Sequence, residues 1–458
     1  MRSRYRARAM TASRPRRSRL RRAAPFASLA ILVPLASFTL GPVMSAQRVT
    51  EPLSPVVASR GPVVRDEPDI IHAPAPDRAI PSISPIANMP RTTIGPTADL
   101  AVRMALQTRL DRLREKYAMP GVSASVIFPD GTTWNGVSGL ADVTEGREVT
   151  ADTAFAIASL SKTFTSALIL DLVEEGRIKL DTPVIDYLPG LRIDKKVTVR
   201  QLLDHTSGLR DYFFHPLIDR VLLAQRDRRW TESESLKYAG RPYFKPGRGW
   251  HYSNTNYLVL GMIAERVGRA SLADQLRERF IDPLGLSGTF YQPTETARGP
   301  VAHGYRFETS AKDAKPIDLT ADGPMVPFAS VVTAAGAAGA VAATSSDVAR
   351  WARALYGGGV LEEATVQEMV DDITRTEKYR PSVPYGLGVQ LIDIDGQTTL
   401  GHSGRLLGFR SAVRYLPDSG LTIAVLSNQS RTDPAIVVRQ LLTIALDTDR
   451  PGDRTGRR

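Results

Sequence analysis

At 458 residues the chain has room for one domain of about 300 residues with appendages, or for two domains. Its 42% hydrophobic and 23% charged content is that of a soluble globular protein, and the lack of cysteine excludes disulfides, thiolate catalysis, lipoprotein acylation and Cys-ligated zinc. Residues 1–22 carry ten arginines and no acid; removing those ten charges from the formal +11 leaves about +1, so bulk electrostatics makes no case for nucleic acid.

The chain opens with a basic segment ending at Arg22, then an uncharged, mostly apolar run over residues 23–46, with Ser45 and Ala46 as small residues for a cleavage site. This is the three-part form of an export signal. An uncut anchor over 23–46 and an organelle transit peptide are the competing readings; Pro34, Gly41 and Pro42 make that run a poor helix. The signal and the anchor both place the remainder of the chain outside the cytoplasm, periplasmic or extracellular, because the arginines stay on the inner side. Residues 47–97 hold ten prolines and no sustained period, which reads as a disordered or extended tether.

An amphipathic helix is predicted over about Asp99–Tyr117, then a hairpin of strands at 122–128 and 132–139 joined by Pro129-Asp130-Gly131. Next comes Ser159-Leu160-Ser161-Lys162, at the head of an apolar run, TFTSALILDLVEEG, that Gly176 stops. Ser159 and Lys162 are three apart, hence on one helical face. A serine hydroxyl needs a partner to take its proton, and an amine one turn away can supply it. S-x-x-K alone is weak, since about one match is expected by chance in a chain this long; a capped core helix with a snorkelling lysine is the bland alternative.

The stretch Leu202-Leu203-Asp204-His205-Thr206-Ser207-Gly208-Leu209 reads as a helix end with Gly208 as C-cap and His205 as a hydrogen-bonded structural histidine rather than a base. In Phe244-Lys245-Pro246-Gly247 and Tyr252-Ser253-Asn254, a tight turn precedes a phenol and a carboxamide two residues apart, both able to face a cleft ahead of an apolar helix at 257–268. The plainer reading has Tyr252 packing and Asn254 capping that helix. Strands are predicted near 397–402, 410–416 and 421–427, with Gly401-His402-Ser403-Gly404-Arg405 ending the first; small residues there let a substrate backbone approach, or simply bend the strand. A last helix runs from Asp433 (N-cap) and Pro434 to about Leu446, and Thr448–Arg458 is a polar tail. Hairpins at both ends imply one antiparallel sheet covered by the terminal helices, with residues 153–385 as a mostly helical lobe: an α+β fold in one domain, 98–447.

S-x-x-K, Y-S-N about ninety residues later and H-S-G on a late strand resemble the serine β-lactamase and penicillin-binding-protein superfamily, in its class C-like branch of DD-carboxypeptidases, D-aminopeptidases and esterases. Supporting stretches are FAIASLSKTFTS, LLDHTSGL, FKPGRGWHYSNTNYLVLG, DPLGLSGTF and GHSGRLLGFRSAVRYLPDSGLTIAVLSN, so the likeness covers about 99–447. It implies Ser159 as an acyl-forming nucleophile, Lys162 as its proton acceptor, Tyr252 as proton relay, and Asn254 orienting Lys162 and a substrate amide. The N–H groups of Ser159 and Arg405 match the oxyanion-hole positions, beside Ser403 and Gly404. His402 departs from the lysine that lactamases of this group carry, which weakens the lactamase reading and favours a peptidase or esterase. Arg405 is then a candidate carboxylate partner.

The expectation is an exported serine acyl hydrolase acting on a D-amino-acid peptide, amide or ester, with no cofactor, no metal and a small-molecule or peptide substrate. A true β-lactamase and a non-catalytic peptidoglycan-binding or sensor homologue are the alternatives. Membrane attachment through 23–46 stays open, as does the oligomeric state.

Overall fold

The structure is a computed structural model describing residues 96–447 except 310, 312, 321 and 322; the leader, the tether up to residue 95 and the tail 448–458 lie outside the described residues. In chain order the strands are β1 (Gly121–Ile127), β2 (Thr133–Asp142), β3 (Arg147–Glu148), β4 (Phe155–Ala156), β5 (Phe290–Tyr291), β6 (Tyr305–Arg306), β7 (Ile317–Asp318), β8 (Val341–Ala343), β9 (Gln390–Ile394), β10 (Gln397–Leu406), β11 (Phe409–Tyr415) and β12 (Thr422–Ser427). Seven of them form one sheet in the order β3-β2-β1-β12-β11-β10-β9, with antiparallel neighbours throughout. The two ends of the chain therefore meet at β1 and β12, as the hairpins at both ends imply.

Strand β12 reads as a continuous apolar run because both its faces are covered, whereas its neighbour β1 alternates Val122, Ala124 and Val126 with buried Ser123 and Ser125. On β12, Ile423 and Val425 join Leu106, Leu110 and Leu113 of the first helix (Pro96–Lys116) and Val437, Val438 and Leu441 of the last (Ala435–Asp447). Ala424 and Leu426, one step out of phase, pack into the helical lobe. The β1–β2 turn closes as its sequence implies: Gly131 has φ 88°, and Asp130 Oδ1 accepts the Thr132 N–H at 2.8 Å. Asp433 Oδ1 accepts the Ala435 N–H at 2.9 Å, which caps the last helix.

The lobe is organised by two buried helices, Ser161–Glu174 and Asn254–Gly268, packed on each other. Gly176, φ 70°, follows the first as expected. A small sheet in the order β4-β8-β5 delivers the chain to residue 157, where Ile157 N–H donates to Val341 O at 3.0 Å. Two local expectations fail. Gly208 is not a C-cap: the helix Val199–Leu203 ends earlier, and His205 takes the left-handed conformation (φ 64°). Gly208 serves a close approach instead, since a Cβ there would lie 2.1 Å from Phe244 O. The helix expected at 257 starts at Asn254, so that side chain does not cap it. No helix among the described residues is long and apolar enough to cross a membrane.

Candidate active site

The 3₁₀ turn Ala158–Leu160 carries Ser159 at the head of the Ser161–Glu174 helix. Ala158 sits at φ 52°, a left-handed conformation that costs a non-glycine residue about 1–2 kcal/mol. The turn is held by its surroundings: Ser161 Oγ accepts the Val341 N–H at 3.0 Å, and Ser411 Oγ donates to Ile157 O at 2.7 Å. Lys162, one helical turn on from Ser159, is fully buried. Its Nζ lies 2.8 Å from Ser159 Oγ, 2.7 Å from Asn254 Oδ1 and 2.8 Å from Ala338 O.

The last two atoms can only accept, so they take two of the nitrogen's protons. The third direction faces the serine oxygen. There the nitrogen presents either a third N–H or, as a neutral amine, a lone pair for the hydroxyl proton. That is the geometry of a proton-accepting pair.

Asn254, at the first turn of its helix, is oriented by Asp211, which the sequence motifs do not include. Asp211 is wholly buried; its Oδ2 accepts the Asn254 Nδ2–H at 2.8 Å and the Asn254 backbone N–H at 3.1 Å, while Oδ1 accepts the Phe213 N–H at 2.9 Å. A carboxylate only accepts, so the amide must turn its nitrogen to Asp211 and its oxygen to Lys162. The one signal in the sequence is an acid, Asp211, set directly before the aromatic run Tyr212-Phe213-Phe214.

The Tyr252 ring centroid lies 5.0 Å from Lys162 Nζ and 6.4 Å from the His402 ring. His402 is buried on β10. Its Nε2 accepts from the Tyr385 hydroxyl at 3.0 Å and its Nδ1–H donates to Ser403 O at 2.6 Å, one tautomer satisfying both. Burial, with the Lys162 charge adding to it, pushes the His402 pKa down to about 3, so the ring is neutral. Tyr385, also absent from the sequence motifs, lies in a segment with no catalytic spacing to mark it.

Gly404 brings β10 against the Ser159 turn: a Cβ there would lie 2.3 Å from Ile157 O and 3.0 Å from Ala158 Cβ. The ladder from β10 to β9 ends at Gly401 opposite Gln390, leaving the β10 edge beyond it open. Ser403 N–H points off that edge and is taken by Gln390 Oε1 at 3.1 Å. Arg405, two residues on, turns its N–H the same way. Ser159, Lys162, Tyr252, Asn254 and His402 are thus brought together, with Ser403, Gly404 and Arg405 on the adjoining edge.

Away from this centre, Asp142, His303 and Asp318 lie close enough together to suggest a metal cluster. However, His303 Nδ1 faces Asp318 Oδ2 at 2.8 Å while Nε2 faces Asp142 Oδ2 at 3.6 Å. An imidazole clamped between two carboxylates through different nitrogens is a staple between β2 and β7, not a ligand set.

A model of the beta-lactamase family matches residues 106–446. The chain belongs to that family, and it is a serine hydrolase with the β-lactamase/transpeptidase fold. It is similar to penicillin-binding protein 4 of Amycolatopsis lactamdurans, 31% identical over 337 residues that cover 70% of this chain and 84% of the relative. The D-aminopeptidase of Brucella anthropi is 26% identical over 75% of this chain and 62% of its own length. Among solved structures, a D-stereospecific amidohydrolase from Streptomyces sp. matches at 30% identity and TM-score 0.62, over 74% of this chain and 96% of the other. The D-amino acid amidase from Ochrobactrum anthropi SV3 complexed with D-phenylalanine matches at 27% identity and TM-score 0.66, over 76% and 100%.

Proposed function

We propose that this serine acyl hydrolase is exported and works through a Ser159 acyl-enzyme on D-amino-acid amides, peptides or esters. One observation carries the chemistry: Lys162 Nζ lies 2.8 Å from Ser159 Oγ with its other directions occupied by fixed acceptors. Lys162 takes the hydroxyl proton as Ser159 Oγ bonds to the substrate carbonyl carbon. The N–H groups of Ser159 and Arg405 receive the developing oxyanion. Tyr252, beside the resulting ammonium, passes a proton to the leaving amine or alkoxide. Tyr252 recovers its proton from Lys162; water then attacks the acyl-serine, its hydroxyl bonding to the acyl carbon and its proton passing to Ser159 Oγ.

Relatives and solved neighbours named for D-aminopeptidase and D-amino acid amidase activity support the substrate class. The neutral His402 favours an amide or ester over a β-lactam, whose carboxylate a cation usually meets. Support for export is the ten-arginine segment followed by the uncharged run 23–46.

The test is mass-spectrometric mapping of a fluorophosphonate adduct, with hydrolysis of D-alanine amide measured for wild type and Ser159→Ala. The adduct is expected on Ser159, and the variant is expected to lose about three orders of magnitude or more in kcat/KM. Wild-type turnover by Ser159→Ala would end the reading. Fractionation of the tagged full chain tests export; accumulation in the cytoplasm would refute it.

A further inference from the structure

We infer that His205 is a positioning residue for the phenol of Tyr252, gripping the chain on both sides of it. This rests on the proposed role of Tyr252 as proton relay. The segment 250–253 belongs to no helix or strand, so side chains rather than a ladder set its path. His205 O accepts the His251 N–H at 3.1 Å, and His205 Nδ1 accepts the Ser253 N–H at 3.2 Å. These are the backbone donors immediately before and after Tyr252.

The left-handed conformation of His205 lets its carbonyl and its ring reach the same segment. The ring also packs on Tyr252 itself, with centroids 4.3 Å apart and planes 40° apart. The Ser253 backbone N–H can only donate, which fixes Nδ1 as the acceptor; Asn256 Nδ2–H meets the same nitrogen at 3.1 Å, with the Asn256 oxygen receiving the Ser207 hydroxyl at 2.7 Å. The proton of the neutral ring therefore sits on Nε2, which is buried without a hydrogen-bond partner.

His205 thus sacrifices one polar contact to hold Tyr252 with the other. No atom of it is placed to meet substrate, and its one exchangeable proton is buried among Trp250, Tyr257 and Tyr385. Asparagine can mimic this role in part, since its oxygen reaches the Nδ1 position and it tolerates a positive φ.

The experiment compares a D-alanine p-nitroanilide, whose leaving amine needs a proton, with p-nitrophenyl acetate, whose leaving phenolate does not. A relay displaced from its place should be felt on the first substrate far more than on the second. His205→Ala is expected to lose about tenfold to a hundredfold in kcat on the anilide and less than about threefold on the ester. His205→Asn should recover most of the anilide loss.

In a Tyr252→Phe background, His205→Ala should add less than about twofold, because the group it positions is gone. Equal loss on both substrates, or the full His205→Ala loss persisting in Tyr252→Phe, would overturn the inference. So would wild-type anilide turnover by His205→Ala while Tyr252→Phe is impaired. If Tyr252→Phe itself behaves as wild type, the relay reading falls, and this inference with it.

Discussion

Replacing Asp211 with asparagine changes one atom's polarity in the wall behind Ser159 and Lys162. The carboxylate receives three N–H groups, from Phe213 at 2.9 Å and from the backbone and side chain of Asn254 at 3.1 and 2.8 Å. Asparagine has one acceptor, so if it keeps Phe213 its NH₂ confronts two donors. Two charge-assisted bonds are lost, each worth about 1.5–3 kcal/mol net, while relief from burying a charge returns part of that; the balance is about 2–4 kcal/mol of stability. The Asn254 amide escapes the clash by reversing, which turns its own NH₂ toward Lys162 Nζ in place of the 2.7 Å acceptor. Losing one such bond in the proton-accepting arrangement, about 2.7 kcal/mol, corresponds to roughly a hundredfold in rate. The assay is the second-order rate of fluorophosphonate labelling at Ser159, with a thermal melt alongside. Asp211→Asn labelling at the wild-type rate would refute the view that this carboxylate sets the amide that sets the lysine.

Tyr385→Phe removes the donor to His402 Nε2 and leaves that buried nitrogen unpaired, which costs about 1–3 kcal/mol; an unchanged melting temperature would contradict this. Gly404→Ala puts a Cβ 2.3 Å from Ile157 O, so β10 must retreat from the Ser159 turn. The expected outcome is a hundredfold or so loss of kcat with the fold kept by circular dichroism, and full activity would show the edge is not part of the site. For pH, His402 titrates at about 3 when folded and near 6.5 when unfolded, so the unfolded chain binds the extra proton between those values. Its stabilising share is complete above pH 6.5 and declines as pH falls toward 3, by up to about 1.4 kcal/mol per pH unit. Urea melts of wild type and His402→Asn should converge on acidification, and parallel curves would refute the assignment.

The sheet was legible because hairpin chemistry is local. Pro129-Asp130-Gly131 announces the β1–β2 turn, and β1 pairs with β12 from Val122 opposite Ser427 to Ile127 opposite Thr422. The Ser159–Lys162 relation was legible because helical spacing is geometry. What stayed hidden depends on contacts across long separations in the chain. Asp211 acquires meaning only when Asn254 is folded onto it, 43 residues away. Tyr385 does so only when β10 brings His402 alongside. The Gly208 cap reading failed for a related reason: the helix stops at Leu203, His205 is the first left-handed residue after it, and the positive φ of Gly208 (78°) serves its approach to Phe244 across 36 residues of chain.

The stretch His402-Ser403 carries the sharpest statement about substrate. His402 has no charge and both its nitrogens are engaged. Ser403 donates its N–H and hydroxyl to Gln390 Oε1 at 3.1 and 3.3 Å, and its carbonyl accepts from His402 Nδ1–H. Arg414 also holds Gln390 Oε1, at 3.1 Å, but it shares its sheet face with Gly401 rather than His402 and is only 3% exposed. A substrate carboxylate laid along this stretch gives up its hydration and finds no donor, a cost of several kcal/mol, whereas an amide or an ester bears no such cost. D-alanine amide should therefore exceed D-alanyl-D-alanine in kcat/KM by a hundredfold or more, with slow nitrocefin turnover. A preference for the free acid would mean that the guanidinium of Arg405 swings over the edge to meet it, and that His402 does not set the charge of the site.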